Sequence, residues 1–352
     1  MTAPTSTTDQ SDTSVLLSES AAADESKACP PPVEGGPRFG PNRLARFRAP
    51  SFRHFSGERV GNHKLQPARF FVPALLAVLT LTACSKQDFP QYPPNYREYA
   101  YVTNGDSGTV TVLDVVNVRV DREISVGQNP VAVIASPTRS EVYVVNSGAE
   151  GGQGSISVID AEKNAVAATI PLHRKPVSID LNAEGTLAYV ANSGSNSISV
   201  IDLTARQEIA QIGAGEEPVS ARITPDGKTL VVGESMGHRL SAFDVAADGT
   251  LANRRVWADL GEGVPDGIAL DAEGSIWVAS PFTHELLRVK QGGQVTERIK
   301  REQMPIACML GGPARRTLFL LTAESIDPDE CRAKRNSRIE TTEVEVAGAG
   351  LP

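Results

Sequence analysis

From Tyr101 onward, apolar and small polar residues alternate at period two in runs of five or six, broken by Gly, Ser and Asn. Leu187 to Asp202, LAYVANSGSNSISVID, is the clearest instance: two short strands around a tight polar turn. Relatives of it recur. Tyr143-Val144-Val145-Asn146 leads to Ser155–Asp160, Tyr101-Val102-Thr103-Asn104 leads to Thr109–Asp114, and Leu230–Glu234 leads to Leu240–Asp244. The position of Asn192 falls successively on Asn104, Asn146, Asn192, Glu234, Ser280 and Thr322, at spacings of 42, 46, 42, 46 and 42.

A second series agrees. Apolar segments led by Pro130, Pro176, Pro218, Pro265 and Pro305 each begin 12 to 14 residues before the next strand of the Tyr101 type. A period in the low forties with about four short strands per unit is the spacing of a β-propeller. Each proline-led segment is expected to be the innermost strand of a blade, where its first residue needs no ladder N–H. No helical period occurs in this region. The expectation is an all-β ring of about six four-stranded blades over residues 98–352. Six middle strands are counted but only five innermost ones, because Pro90 to Ala100, PQYPPNYREYA, makes a poor strand. Closure of the ring is therefore the weakest point of this pattern.

The repeats from Tyr101 to about Asp244 resemble the YVTN family of bacterial propellers, whose name is the string Tyr101 to Asn104. That resemblance implies a fold and a binding platform rather than a chemistry. From Gly261 the wording changes. Val264 to Ser280 (VPDGIALDAEGSIWVAS), Met304 to Ser325 and Arg338 to Pro352 resemble the carboxy-terminal blades of the regucalcin/gluconolactonase family, six-bladed calcium-dependent lactonases. The chain looks like two propeller families joined near residues 245–260, as either a natural recombinant or an artificial one.

Composition narrows the picture. The chain has 352 residues, 5% aromatics and a net charge of -8, an acidic body with no overall nucleic-acid footprint. Cys29, Cys84, Cys308 and Cys331 are too few for a disulfide scaffold. Residues 1–36 lack an apolar period and read as disordered. Between Pro37 and Arg69 basic residues interleave with Phe39, Phe47, Phe52 and Phe55. This reads as an unstructured leader, with contact to an anionic surface or nucleic acid as the alternative. His63, Lys64 and Arg69 then precede the apolar run Phe70 to Leu81, which ends in Leu81-Thr82-Ala83-Cys84. A basic start, a short apolar core and small residues at the cut define an export signal. The run is too short to cross a bilayer as a ~20-residue helix. The cysteine after the small pair resembles the bacterial lipoprotein pattern, in which Cys84 is lipidated and becomes the mature N-terminus. The chain then divides into residues 1–59, a leader explained by a true start near Val60; 60–84, the signal; 85–97, a proline-rich spacer; and 98–352, the propeller. The same resemblance implies an anchor in the bacterial cell envelope, and Ser85 after the cysteine favours the outer membrane, facing the periplasm, where the bacterium is diderm.

Candidate chemistry is sparse. The lactonase resemblance implies channel calcium held by a Glu, two Asn and the Asp of a PDG triplet, here Pro265-Asp266-Gly267. Metal and bound water would polarise the lactone carbonyl, with Asp266 assisting proton transfer. Alignment of the proline-led strands sets Val131, Val177, Val219 and Ile306 where Asp266 stands, and the family's Glu and Asn ligands have no match. Calcium takes about six to eight oxygens, so Asp266 reads better as turn chemistry. Glu216 and Glu217 read as a solvated turn near the channel mouth. Asp114, Asp160, Asp202 and Asp244 recur at the close of the third strand, once per blade, as turn caps would. Lys290 ends that series. The five histidines show no ligand spacing, no phosphate loop or nucleophile elbow occurs, and Cys308 and Cys331 read as a buried and an exposed free thiol.

Two functional readings follow. The first is an exported, lipid-anchored propeller that binds a protein or small ligand at its loop face, with no cofactor and no nucleic acid. The second is a lactone hydrolase with calcium at Asp266. A fused chain with no evolved site is the third possibility.

Overall fold

The structure, a computed structural model, describes residues 96–350. The expected lipidation of Cys84, the leader and signal of residues 1–84, and most of the spacer lie outside the described residues.

The fold is an all-β propeller of six antiparallel sheets. The first is three-stranded, β1 (Tyr99–Asn104), β2 (Thr109–Asp114) and β3 (Arg119–Ser125). The second holds β4 (Pro130–Ala135), β5 (Glu141–Asn146), β6 (Gln153–Asp160) and β7 (Ala165–Arg174). The third holds β8 (Pro176–Leu181), β9 (Leu187–Asn192), β10 (Ser197–Asp202) and β11 (Gln207–Gly213). The fourth is β12 (Pro218–Ile223), β13 (Thr229–Glu234), β14 (Arg239–Val245) and β15 (Leu251–Asp259). The fifth is β16 (Ile268–Leu270), β17 (Ile276–Ser280), β18 (Glu285–Val289) and β19 (Val295–Lys300). The sixth has β20 (Met304–Gly311), β21 (Thr317–Ala323) and β22 (Arg338–Glu343).

Two blades thus carry three strands where four were expected. The first lacks an innermost strand and the sixth lacks an outermost one. A helix that the sequence pattern did not show, α1 (Pro328–Lys334), stands between β21 and β22. It is too short to generate a periodic apolar stripe. Its signals are local: Asp327 accepts from the Asp329 and Glu330 amides, and the last turn carries Arg332 and Lys334.

Period-two alternation puts side chains on both faces of every blade, and in a propeller both faces are interior. In β5, Tyr143 and Val145 join the cluster shared with the third blade, while Val142 and Val144 join the one shared with the first. The same partition builds apolar interfaces between blades three and four, four and five, and five and six. Five such interfaces exist among the described residues. Between the sixth blade and the first no buried apolar cluster occurs there. That seam is crossed by an exposed ion pair from Arg332 on α1 to Asp106 after β1, at 3.2 Å. Exposed pairs of this kind contribute about 0–1 kcal/mol.

The recurring Asn is an internal clamp. Asn146 Nδ2 donates to the hydroxyls of Ser155 and Ser157, at 3.1 and 2.9 Å. Asn104 donates likewise to Thr109 and Thr111, and Asn192 to Ser197 and Ser199. Each amide ties the end of a middle strand to the start of its neighbour. In the fourth blade Glu234 takes the place of Asn and Arg239 that of the first hydroxyl residue, and the clamp becomes ionic, 2.8 Å from Nε to Oε2. Arg254 on β15 adds a second contact at 2.6 Å.

Truncation experiments should separate interface from edge. Ile201→Ala, in the fully buried cluster between blades two and three, should cost about 2–5 kcal/mol in urea unfolding. Ile339→Ala, on the 73% exposed position of β22, should stay within about 0.5 kcal/mol.

Candidate functional site

The inner strands β4, β8, β12, β16 and β20 surround a channel, and four of them begin identically. A bulge follows the leading proline, with register shifts at Pro130/Ala132, Pro176/Ser178, Pro218/Ser220 and Pro305/Ala307. The bulged residues are Val131, Val177, Val219 and Ile306. In the fifth blade the Asp266 amide donates to Ala279 O at 3.0 Å and the Ala279 amide to Gly267 O at 3.0 Å. Asp266 is therefore the fifth bulged residue, and the alignment drawn from the prolines holds in space.

The triplet is hung from three blades. Ser235 Oγ of the fourth donates to Pro265 O at 2.6 Å, and Gly267 N donates to Ile306 O of the sixth at 2.9 Å. Val264 N donates to Ser280 Oγ at 3.1 Å. The Asp266 side chain is half-buried. The equivalent places of the other four blades hold hydrocarbon, and no group of three or more His, Cys, Asp or Glu side chains able to hold a metal ion occurs among the described residues. The donors present do not fit calcium, which takes about six to eight oxygens.

The other candidates take structural places. Glu217 has φ +51°, its amide donates to Asn196 Oδ1 at 2.9 Å, and its carboxylate lies 3.7 Å from Lys175 Nζ; Glu216 is exposed. Asn129, Lys175 and Glu217, each directly before a leading proline, share this left-handed conformation. Asp160 Oδ1 accepts from the Glu162 and Lys163 amides, and Asp202 Oδ1 from those of Thr204 and Ala205. Asp114 holds Asn117 and Arg119. Asp244 departs from the series, bonding Asn253 and Arg255 on β15 instead of the following turn. Cys308 is buried in β20, with Sγ 3.6 Å from Gly267 O, and Cys331 sits half-buried on α1; neither is in a disulfide. His173 meets Glu208 at 3.0 Å, while His238 and His284 are exposed.

Sequence reasoning missed a cavity of about 310 Å³ at the opposite end of the channel, where the inner strands finish. Its polar members include Asp180, Arg222 and Arg315. The signal was present in β8 and β12, as Asp180 and Arg222 at matched places in otherwise small and apolar inner strands.

Comparison with known proteins agrees with this architecture. Residues 218–324 match the family described as the SMP-30/Gluconolactonase/LRE-like region. Regucalcin of Xenopus laevis is 32% identical over 88 residues, 23% of this chain and 29% of that protein. The uncharacterized protein YncE of Salmonella typhi is 34% identical over 92 residues, 26% of this chain and 25% of that protein. The chain thus matches less than a third of the length of these relatives. Among solved structures, hydrazine synthase of Kuenenia stuttgartiensis superposes with a TM-score of 0.58 at 19% identity, over 70% of this chain and 81% of that one. A luciferin-regenerating enzyme superposes at 0.55 and 14% identity, over 71% and 90%. These two likenesses concern the fold. The family match begins at Pro218, the first residue of the fourth blade, and runs through residues 245–260.

The turn aspartates give a pH signature. The Asn117 side-chain amide holds the Asp114 carboxyl below the usual carboxylate range, and Lys163 does the same for Asp160. A folded value lowered from ~3.9 contributes stability above about pH 4. That contribution is lost as pH falls through the folded value. Asp114→Asn and Asp160→Asn should therefore flatten the acid limb of stability below about pH 4 in urea titrations, leaving its slope near neutrality unchanged.

Proposed function

We propose that the chain is a propeller binding module, exported and held in a bacterial envelope by lipid on Cys84, which offers a protein or small ligand the channel end that carries Asp266. The observation that carries this reading is the bulge level of the inner strands: Val131, Val177, Val219 and Ile306 hold the places equivalent to Asp266. Hydrocarbon at four of five places does not suit ion coordination. The cell-envelope part rests on the sequence alone, on Phe70 to Leu81 followed by Thr82-Ala83-Cys84.

A second reading, a lactone hydrolase, has a specific observation behind it: the gluconolactonase-like match over residues 218–324, which includes Asp266. In that case Asp266 would be the one retained acid of a site otherwise lost.

Calcium separates the two. A retained site should give a stabilisation of RT ln(1 + [L]/Kd), about 2.7 kcal/mol at a hundred times the dissociation constant. That is a rise of several degrees, at roughly 2–4 °C per kcal/mol. The expected outcome is no rise with millimolar calcium and no hydrolysis of aldonolactones. A rise that Asp266→Ala abolishes, with lactone turnover, would make the enzyme reading the correct one.

Anchoring has its own test. Each buried methylene contributes ~0.8 kcal/mol, and lasting attachment needs more than one acyl chain. Expressed in a diderm host from Val60, the protein should fractionate with membranes, and Cys84→Ala should release or misprocess it. Equal membrane association of the two would sink the assignment.

A further inference from the structure

Residues 344–350, which follow β22, add no strand to the sixth blade. They cross from blade six to blade five, and both blades hold them. On the sixth, Val344 N donates to Arg316 O at 2.9 Å and Gly348 N to Arg315 O at 2.8 Å. On the fifth, Ala272 N donates to Ala347 O at 2.8 Å, and Leu270 O accepts from Ala349 N at 3.0 Å. The turn of blade five that meets them is itself fixed. Asp271, 1% exposed, accepts from the Glu273 and Ser275 amides and from Arg288 Nε, the last at 2.7 Å.

Two residues decide how closely this segment lies. Gly348 is buried, and a Cβ there would stand 2.7 Å from Leu310 Cβ, so only glycine lets the backbone pass. Arg315, at φ +55°, donates from Nη1 to Gly350 O and from Nη2 to Ala349 O, the latter at 2.9 Å. The planar guanidinium thus fastens two successive carbonyls from one fixed geometry. Arg315, Ala349 and Gly350 all line the cavity of about 310 Å³ at the end of the channel away from Asp266. Beneath the segment lies the apolar cluster between blades five and six, which holds Leu310 and Cys308, with Val344 packed against it. Its own apolar contact is small, since Glu345 and Gly350 are exposed and Val344 is only half-buried. Segments with little buried apolar contact open before the sheets they lie on.

We propose that residues 344–350 are a strap closing this end of the channel and that Arg315 is its latch. Release of the strap opens the cavity and the base of the interface between blades five and six, and unfolds neither blade. The strap stands at the opposite end from Asp266 and rests on neither functional reading.

The test follows the strap and what it covers in the full chain. Amide exchange reports on Ala272, Gly348 and Ala349. Alkylation by iodoacetamide, located by peptide mass, reports on Cys308, which lines the cavity and is 2% exposed. Arg315→Gln should speed exchange at those amides and alkylation of Cys308 by about tenfold or more, as loss of bonds from a charged donor implies. Gly348→Ala, which pushes the strap off Leu310 and keeps the Arg315 side chain, should act in the same direction. Exchange in β9 and β13, in blades three and four, should not change, and Glu345→Ala, at an exposed position, should alter neither readout. Unchanged Cys308 alkylation in both variants, an effect of Glu345→Ala equal to theirs, or exchange quickened in β9 and β13 as much as at the strap would each overturn the assignment.

Discussion

Every blade of this protein is a sheet with two buried faces, and that requirement organises the rest. A sheet that is apolar on both sides is stable only with a neighbour on each. Burial of a Val, Leu or Ile side chain contributes ~1.5–3 kcal/mol, and Tyr143, Val144, Ile156, Ile159 and Ile201 are all fully buried between sheets. Five interfaces meet the requirement. At the sixth seam β1 lacks an inner neighbour, and the described contact is the exposed Arg332–Asp106 pair. The ring is thus a strong arc of six sheets with one weak junction. Local opening will begin there, since opening follows the regions with least buried apolar contact.

The same geometry decides what the channel can do. The inner strands set equivalent residues of blades two to six at the same level. The bulge level is hydrocarbon apart from Asp266. The next is small, Ala132, Ser178, Ser220, Gly267 and Ala307. The one after mixes Asp180 and Arg222 with Ile134, Ala269 and Met309. Polar groups are gathered on two adjacent blades at the end away from Asp266.

The repeat was legible because it depends on the backbone. Leading prolines, period-two alternation and the Asn clamp are local, and they placed the starts of β4, β8, β12 and β20 and the hairpins β5–β6, β9–β10 and β13–β14 within a residue or two, whereas β16 begins three residues after Pro265. The turn role of Asp160 and Asp202 was legible for the same reason. What stayed hidden depends on who faces whom across blades. The ionic clamp of Glu234 by Arg254 spans twenty residues and a strand, and nothing local to either announces it. Helix α1 was too short to show a period. The tail of residues 344–350 bridges blades five and six through Arg315 and Leu270, a pairing that follows only once both turns are in place. Asp266 was legible as an outlier in its column, but its half-buried setting and its suspension from Ser235 and Ile306 were not.

The change of sequence character within the chain also has a physical reading. A propeller tolerates a change of lineage wherever both resulting interfaces still pack, because each blade meets only its two neighbours, as in repeat architectures generally. The gluconolactonase-like match opens at Pro218, where the fourth blade begins against the third. There Tyr189, Ile198 and Val200 pack on Leu230, Val232 and Phe243 in one fully buried cluster. The Asn clamp gives way to Glu234 with Arg239 in the first blade beyond that interface, and there Ser241 Oγ is left buried without a partner. The amide-to-hydroxyl clamp and the ionic clamp are alternative solutions to fastening the same hairpin. One fastens it by an amide to two hydroxyls and the other by a carboxylate to two guanidiniums.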